Sequence, residues 1–281
     1  MSSLRKSSLI IILIGFGLRA YRLGSNSLWN DEVGVALVAL LPNLESMING
    51  IQAHAMAMPL DYLIIHAIIK TSLREFVLRL PAAFFGTLTL AIYYRLSRRL
   101  VEEKAALLAV LLLALSPLHI MYSQEMRFYA SLVFFFYLAV DLFIKAAKKS
   151  VLLDWIFLVL ISGIGIYFHI YVSLWIIYGV VWIIMNKKIQ QVGKSFVLTC
   201  LFVILFAVIG YLYFGAHQKF NYPLLPWGGT LFREIALGLG WQELPFTPLP
   251  NIGRSWYIVC FVFFLLGLMT TLKSATNLLL P

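Results

Sequence analysis

Residues 76–99 read FVLRLPAAFFGTLTLAIYYRLSRR, and this stretch decides the fold. No charged residue lies between Arg79 and Arg95. The segment Phe76–Leu96 has about the 20 mostly apolar residues that a helix needs to cross a bilayer. The basic run that follows, Arg95 to Arg99, is typical of the cytoplasmic end of such a helix. The stretch therefore predicts a transmembrane helix that ends inside the cell.

The composition of the whole chain supports this interpretation. Hydrophobic residues make up 62% of the 281 residues and charged residues only 12%, whereas a soluble domain carries about 25% charged residues. The net charge of +10 needs no nucleic-acid partner, because Lys and Arg collect in the cytoplasmic loops of membrane proteins. A Gly-rich phosphate loop is missing from the sequence, which argues against a nucleotide-binding domain.

We predict an all-α membrane protein, a polytopic helical bundle with about eight transmembrane helices in one domain over residues 1–281. Interfacial helices are expected in the first outer loop. The predicted spans are Ser7–Arg19, Phe76–Leu96, Ala105–Ile120, Phe128–Ile144, Val151–Phe168, Tyr171–Met185, Phe196–Phe214 and Trp256–Leu272.

Charge asymmetry orients these spans. The segment Ala53–Ile69 is apolar but contains Pro59 and Asp61. If it lies outside as an interfacial or re-entrant helix, the basic clusters all fall in short inner loops, as the positive-inside rule expects. We therefore expect a multi-pass protein of the plasma (inner) membrane with both termini cytoplasmic. The first outer loop then covers residues of about 20–75, a short second outer loop lies around His119–Arg127, and a further outer loop covers residues of about 215–253.

The first span has an alternative interpretation. Arg5 and Lys6 precede a short apolar core, which is also the pattern of a signal peptide. The sequence after the core, Leu18-Arg19-Ala20, is a poor cleavage site. An uncleaved first helix is therefore favoured.

The acidic pair Asp31-Glu32 follows this first span in the motif SLWNDE (27–32). Two adjacent carboxylates at a membrane surface can bind a cation or take a proton from a hydroxyl. The alternative is a helix cap, with Asn30 or Asp31 starting a helix over Glu32–Leu41.

A second polar motif, YSQEMRFY (122–129), is predicted on the same outer face. Glu125 and Arg127 either mark the membrane boundary or converge with Asp31 over one site. At the opposite face, Asp141 precedes Lys145 by four residues and is predicted to form a local ion pair with it.

Four segments together resemble the dolichyl-phosphate-mannose protein mannosyltransferases, broadly glycosyltransferase family 39, and their bacterial relatives. The similarity extends over about residues 15–175 in the order expected of that family. The segments are SLWNDE (27–32), MPLDYL (58–63), EFVLRLPAAFFG (75–86), and LSPLH (115–119) with YSQEMRFY (122–129).

The resemblance implies a GT-C fold and an enzyme that transfers a sugar from a polyprenyl-phosphate donor to a hydroxyl on a protein, lipid or glycan, with inversion. It implies that Asp31 is the base, with Glu32 beside it as the second catalytic candidate. A bound divalent cation between Glu32 and Glu125 is one way to stabilise the leaving phosphate, and the family pattern leaves the metal requirement open. Candidates for contacting the phosphate or a cation are Glu125, Arg127, Arg79, His54 and Tyr129. His169 and Tyr62 are candidates for lining the outer site.

The sequence departs from the family pattern in two places. Relatives often carry His or Lys directly before the Pro-Pro-Leu of the surface helix, whereas His54 here lies several residues before Pro59. The chain also ends at Pro281 within an apolar run, so we expect a C-terminally truncated member without the later spans or a soluble outer domain. The alternatives are an inactive or fragmentary relative and a transporter or flippase of lipid-linked sugars.

Overall fold

A computed structural model describes residues 3–53, 58–149 and 151–215. These parts are helical throughout, with α1 Ser3–Ala20, α2 Asn30–Ala39, α3 Leu44–Gln52, α4 Pro59–Ile69, α5 Glu75–Leu100, α6 Glu103–Ala114, α7 Pro117–Tyr122, α8 Tyr129–Lys149, α9 Leu152–Phe168, α10 Trp175–Met185 and α11 Ile189–Gly210. A 3-10 turn, Ile170–Leu174, precedes α10, and a π-helical turn, Tyr211–Gly215, follows α11. The predicted span Trp256–Leu272 and most of the loop 215–253 lie outside the described residues.

Within the described residues, three helices are long and apolar enough to cross a membrane: Glu75–Leu100, Tyr129–Lys149 and Ile189–Phe214. Shorter apolar helices cover Pro59–Ile69, Leu152–Phe168 and Ile170–Met185. Large apolar side chains are exposed along α9, α10 and α11, as lipid-facing helices require. The prediction of an all-α membrane protein is confirmed at this level, and the number of about eight spans stays a prediction.

α5 carries polar side chains near both of its ends and an uncharged stretch between them. Arg79 and Arg99 are twenty residues apart in the sequence, which at 1.5 Å per residue places them about 30 Å apart along the axis. This is about the thickness of the bilayer hydrocarbon core. The two ends of α5 therefore define two polar layers at the spacing of the two membrane surfaces. We name the layer at Arg79 the outer layer and the layer at Arg99 the inner layer, after the predicted orientation.

The inner layer corrects the predicted pairing of Asp141. Its buried carboxylate lies 2.6 Å from Arg95 Nη2 and 2.6 Å from Arg99 Nε, both on α5. Lys145 instead pairs with Asp154 of α9 at 2.5 Å. The spacing along α8 predicted the wrong partner because Asp141 faces α5. Packing against α5 therefore pairs it with two arginines and not with the lysine one turn away.

The predicted span Ala105–Ile120 is wrong as one helix. α6 ends at Ala114, and α7 begins at Pro117. Proline has no N–H for a helical bond and disfavours a helical residue before it, so Ser116 is extended. The Ser116 hydroxyl accepts a hydrogen bond from the His119 amide at 3.4 Å and starts the new helix.

The first outer loop folds into helices of its own. α2, α3 and α4 form an apolar cluster that includes Met47, Ile51 and Ile65 and extends to Met126 of the second outer loop. α4 has eleven residues and a length of about 16 Å, shorter than a crossing needs. A larger cluster is centred on Phe143 of α8 and joins α8 to α9, α10 and α11.

Arg19 ties the outer end of α1 to the second outer loop. Its buried guanidinium donates to the carbonyls of Gly15 at 2.7 Å and Ala114 at 3.3 Å, and Nη2 lies 2.7 Å from His119 Nδ1. In return, the Gln124 amide donates to the Arg19 carbonyl at 3.1 Å and the Tyr21 carbonyl at 2.9 Å. The free carbonyls at the ends of α1 and α6 are thus satisfied by side chains.

The close approach of α5 to the second outer loop gives a prediction. A Cβ added at Gly86 would lie 2.6 Å from Ser123 Cβ and also meet the Ser123 hydroxyl, whereas a Cβ at Gly17 would meet nothing. Gly86→Ala is expected to destabilise the protein by about 1–3 kcal/mol. Gly17→Ala, the matched control in α1, is expected to leave stability unchanged or to raise it by up to about 1 kcal/mol. Thermal unfolding in detergent measures both, and equal midpoints would contradict the packing of Ser123 on Gly86.

The two polar layers give a prediction about sidedness. Lys148 and Asn49 are both exposed and lie towards opposite layers. The positive-inside rule assigns Lys148 to the cytoplasm and Asn49 to the outside. In a cysteine-free background, Asn49→Cys in intact cells should react with an impermeant maleimide, while Lys148→Cys should react only after permeabilisation. The reverse pattern would overturn the orientation.

Candidate active site at the outer layer

Glu32 is the most enclosed acidic residue of the outer layer. Its carboxylate is fully buried, and each oxygen accepts two N–H groups. Oε1 accepts from Arg79 Nε at 2.8 Å and from the Met126 amide at 2.7 Å. Oε2 accepts from Arg79 Nη2 at 2.6 Å and from the Trp29 amide at 3.2 Å. A carboxylate has about four acceptor sites, so those of Glu32 are all in use.

Arg79 is equally committed. Besides the two bonds to Glu32, Nη1 donates to the carbonyls of Leu23 at 3.0 Å and Asn26 at 2.8 Å, and Nη2 donates to the Ser27 carbonyl at 3.1 Å. These contacts use all five N–H donors of a guanidinium. The pair joins the loop before α2, the outer end of α5 and the second outer loop. This arrangement leaves Arg79 no N–H for the donor phosphate that the sequence analysis assigned to it.

Asp31 has a different environment from its neighbour. It lies in the first turn of α2, and its side chain is 41% exposed. The N-cap residue is Trp29, and its backbone amide donates a hydrogen bond to the Glu32 carboxylate. The alternative interpretation of Asn30 or Asp31 as the cap is therefore wrong. Within the described residues, the Asp31 carboxylate pairs with Arg127 Nη2 at 3.8 Å, which leaves it accessible to another group.

Arg127 lies between this carboxylate and aromatic rings. Its guanidinium carbon is 5.3 Å from the centroid of the Phe128 ring and 5.9 Å from that of Tyr129, within the range of cation–π contacts. The buried Nε has no hydrogen-bond partner among the described residues. Arg127 thus keeps donor capacity that Arg79 has lost.

Glu125 is the second carboxylate of this cluster. Its Oε2 is buried and has no hydrogen-bond partner in the described part of the chain. Burial and the nearby charge of Glu32 raise the pKa of Glu125 to about 7, against the opposing charge of Arg127. The side chain therefore exchanges a proton near neutral pH.

α4 contributes Asp61 and Tyr62 to the same cluster. Burial raises the pKa of Asp61 to about 6, and the nearby charge of Arg127 opposes this shift. Burial also raises the pKa of Tyr62 to about 12, so its hydroxyl stays protonated. Asp61 was not among the residues predicted for the site. The available signal was a single carboxylate in the first turn of an otherwise apolar helix.

His169 follows α9 and faces the cluster from the other side. Its ring stacks on Phe128 with the centroids 4.2 Å apart, and Nδ1 accepts from the Tyr171 amide at 3.2 Å. Burial, together with the charge of Arg127, lowers the pKa of His169 to about 4, so the ring is neutral at physiological pH. Phe128 thus contacts both the His169 ring and the Arg127 guanidinium. The candidate His54 lies outside the described residues.

A divalent cation between Glu32 and Glu125, which the family pattern left open, does not fit this geometry. The Glu32 oxygens already accept four N–H groups, and a metal would have to displace them. Among residues 3–53, 58–149 and 151–215, His, Cys, Asp and Glu form no group of three or more able to hold a metal ion. We therefore assign no step of the reaction to a metal.

An apolar cavity of about 550 Å³ lies beside the first-loop helices. It lies between α3 and α4 on one side and α9 and α11 on the other. Its lining includes Met47, Leu60, Leu63, Gly163, Tyr167 and Phe206. Leu60 directly precedes Asp61, so α4 contributes to the cavity and to the polar cluster within one turn.

These features define a helical membrane protein with a cluster of acidic and arginine side chains at one end of its helices, where a polar reaction can take place at a membrane surface. The chain belongs to the dolichyl-phosphate-mannose-protein mannosyltransferase family, whose model matches residues 54–214, more than half of its length. The family implies a glycosyltransferase. The match includes Arg79, Glu125, Arg127 and His169 and begins after Asp31. No curated protein matches the chain at a significant level.

The buried Glu125 predicts a pH-dependent stability. The folded state keeps the Glu125 proton up to about pH 7, whereas an unfolded glutamate loses it near about pH 4.3. The stability that Glu125 contributes is fully present below the unfolded pKa and is lost as pH rises through about 7. Asp61 acts in the same direction, and its contribution to stability is lost as pH rises through about 6. Glu125→Gln should therefore reduce the fall of the thermal midpoint between about pH 5.5 and 8.

The matched control for this experiment is Glu45→Gln. Glu45 is an exposed first-turn residue of α3, and its amide variant should keep the slope of the wild type. Identical slopes for the wild type and Glu125→Gln would show that Glu125 keeps an ordinary pKa in the folded protein.

Proposed function

We propose that this chain transfers a sugar from a polyprenyl-phosphate donor to an acceptor hydroxyl at the outer membrane face, with inversion of the anomeric carbon. The observation that carries the proposal is the pairing of Asp31 and Arg127. Asp31 is a partly exposed carboxylate, the Nε of Arg127 has no hydrogen-bond partner in the part of the chain that the structure describes, and their charged atoms lie 3.8 Å apart. A base and a phosphate-binding cation are thus adjacent, within the dimensions of one sugar phosphate.

The proposed reaction is a single displacement. The acceptor hydroxyl gives its proton to Asp31 while its oxygen forms a bond to the anomeric carbon. The bond between that carbon and the phosphate oxygen breaks, and polyprenyl phosphate leaves with the bonding electrons. Attack from the side opposite the leaving group inverts the carbon. The Arg127 guanidinium offers paired N–H groups to phosphate oxygens and stabilises the charge that develops on them.

The charge balance of the cluster supports the binding of an anionic donor. Arg127 faces the carboxylates of Asp31, Asp61 and Glu125, and three full negative charges would repel a phosphate. The raised pKa values of Glu125 and Asp61 reduce this repulsion near neutral pH. Each neutral acid also offers an O–H donor to a phosphate oxygen.

The apolar cavity supports a lipid-linked donor. A polyprenyl chain needs a surface without polar groups, and the cavity beside α4 has an apolar lining that includes Met47, Leu63 and Phe206. Because Leu60 lines the cavity and Asp61 joins the polar cluster, a chain placed there has its phosphate within reach of Arg127.

The base role of Asp31 gives a direct prediction. Asp31→Asn keeps the shape of the side chain but removes the proton acceptor, and transfer should fall by roughly 10²–10⁴. Because Trp29 is the cap, loss of the first-turn charge should cost folding only about 0.3–1 kcal/mol. The measurement is transfer of label from mannosyl-phosphoryl-polyprenol to a membrane fraction by protein in liposomes.

Glu45→Gln is the control for this substitution as well, because Glu45 also lies in the first turn of an outer-loop helix but outside the cluster. It should transfer label at the rate of the wild type. Near-normal transfer by a folded Asp31→Asn protein would exclude Asp31 as the base.

A further inference from the structure

We infer that Glu32, held by Arg79, is a positioning residue that fixes Asp31 and Arg127 relative to each other. The inference rests on the proposed function, since it assigns Asp31 as the base. From the sequence, Glu32 was a second catalytic candidate beside the base Asp31. In the structure they have separate roles, because one is enclosed and fully bonded while the other is exposed.

The first contact of Glu32 concerns the base. Glu32 directly follows Asp31, and its Oε2 accepts from the Trp29 amide at 3.2 Å. This bond closes the first turn of α2, in which Asp31 lies. The direction of the Asp31 side chain therefore depends on where the Glu32 carboxylate is held.

The second contact concerns the cation. Oε1 of Glu32 accepts from the Met126 amide at 2.7 Å. Met126 lies between Glu125 and Arg127 and is buried in the same apolar cluster as the first-loop helices. One carboxylate thus binds the backbone beside the proposed base and the backbone beside the proposed phosphate-binding residue.

Arg79 supplies the rigid side of this arrangement. It belongs to α5, binds Glu32 through two parallel N–H bonds, and donates to three carbonyls of the loop that leads to α2. A planar guanidinium presents these five donors in a fixed geometry, which the single ammonium of lysine cannot reproduce. The five hydrogen bonds of the Arg79 guanidinium therefore define the position of α2 over α5. A lysine at this position would keep only the charge, and the position of α2 would change.

The experiment compares Glu32→Gln in two backgrounds. In the wild-type background it should lower transfer of label from mannosyl-phosphoryl-polyprenol by about 10–100-fold, since a misplacement of about 1 Å is worth up to about 10²-fold. In the Asp31→Asn background the same change should lower transfer by less than about threefold. The placement of residue 31 relative to Arg127 matters only while residue 31 is the base. Arg79→Lys should follow Glu32→Gln in both backgrounds.

Glu103→Gln is the matched control. Glu103 also pairs with an arginine, Arg98 at 3.2 Å, but at the inner end of α5, and its loss should leave transfer unchanged. A general loss of folded protein would lower transfer by the same factor in both backgrounds. An equal factor for Glu32→Gln in the two backgrounds, or normal transfer by Arg79→Lys, would overturn the positioning role.

A second measurement is independent of activity. Hydrogen exchange of the Trp29 and Met126 amides, followed by mass spectrometry of peptides over residues 27–33 and 124–130, should be slow in the wild type. Exchange at both amides should become faster in Glu32→Gln and stay slow in Glu103→Gln. If the wild type transfers no sugar, the proposed function fails, while unchanged exchange in Glu32→Gln would reject the inference itself.

Discussion

The bidentate pair between Glu32 and Arg79 is the constraint on which the outer half of this protein depends. The two residues lie 47 positions apart in the sequence. Each also makes hydrogen bonds with backbone groups of another segment. Breaking such a buried pair on one side leaves an uncompensated charge and commonly costs about 3–5 kcal/mol. The pair therefore stabilises the assembly of the first loop, α5 and the second loop, and also determines where the exposed Asp31 is placed.

α5 connects this pair to the opposite membrane surface. Its inner end holds Asp141 of α8 between Arg95 and Arg99, and Lys145 of α8 continues the network to Asp154 of α9. The charges at either end are satisfied by specific partners, and the stretch between them is uncharged. This separation matches a bilayer and leaves α5 as a rigid support, so reactive groups can be carried on shorter helices at one surface.

The sequence predicted the features that depend on local composition. These were the helical class, the long spans at α5, α8 and α11, and the three acidic or basic residues Asp31, Glu125 and Arg127 that the structure brings to one layer. It did not predict which polar groups satisfy one another. Asp141 was paired with Lys145 by helical spacing, and Arg79 was assigned to a phosphate, because sequence alone does not show that an arginine has five internal acceptors. The break at Ser116-Pro117 was missed because an apolar run was counted without regard to proline. Asp61 was missed because the sequence does not show that packing buries this carboxylate near Arg127.

The central claim is that the chain carries out an inverting transfer in which polyprenyl phosphate leaves as the sugar bond forms. The most direct measurement follows a radiolabelled mannosyl-phosphoryl-polyprenol donor with purified protein and a membrane fraction in lipid nanodiscs, and quantifies released polyprenyl phosphate and glycosylated product together. The account predicts that both appear in equal amounts and that the new glycosidic bond has the anomeric configuration opposite to that of the donor. Donor recovered intact, or a product that retains the donor configuration, would contradict it.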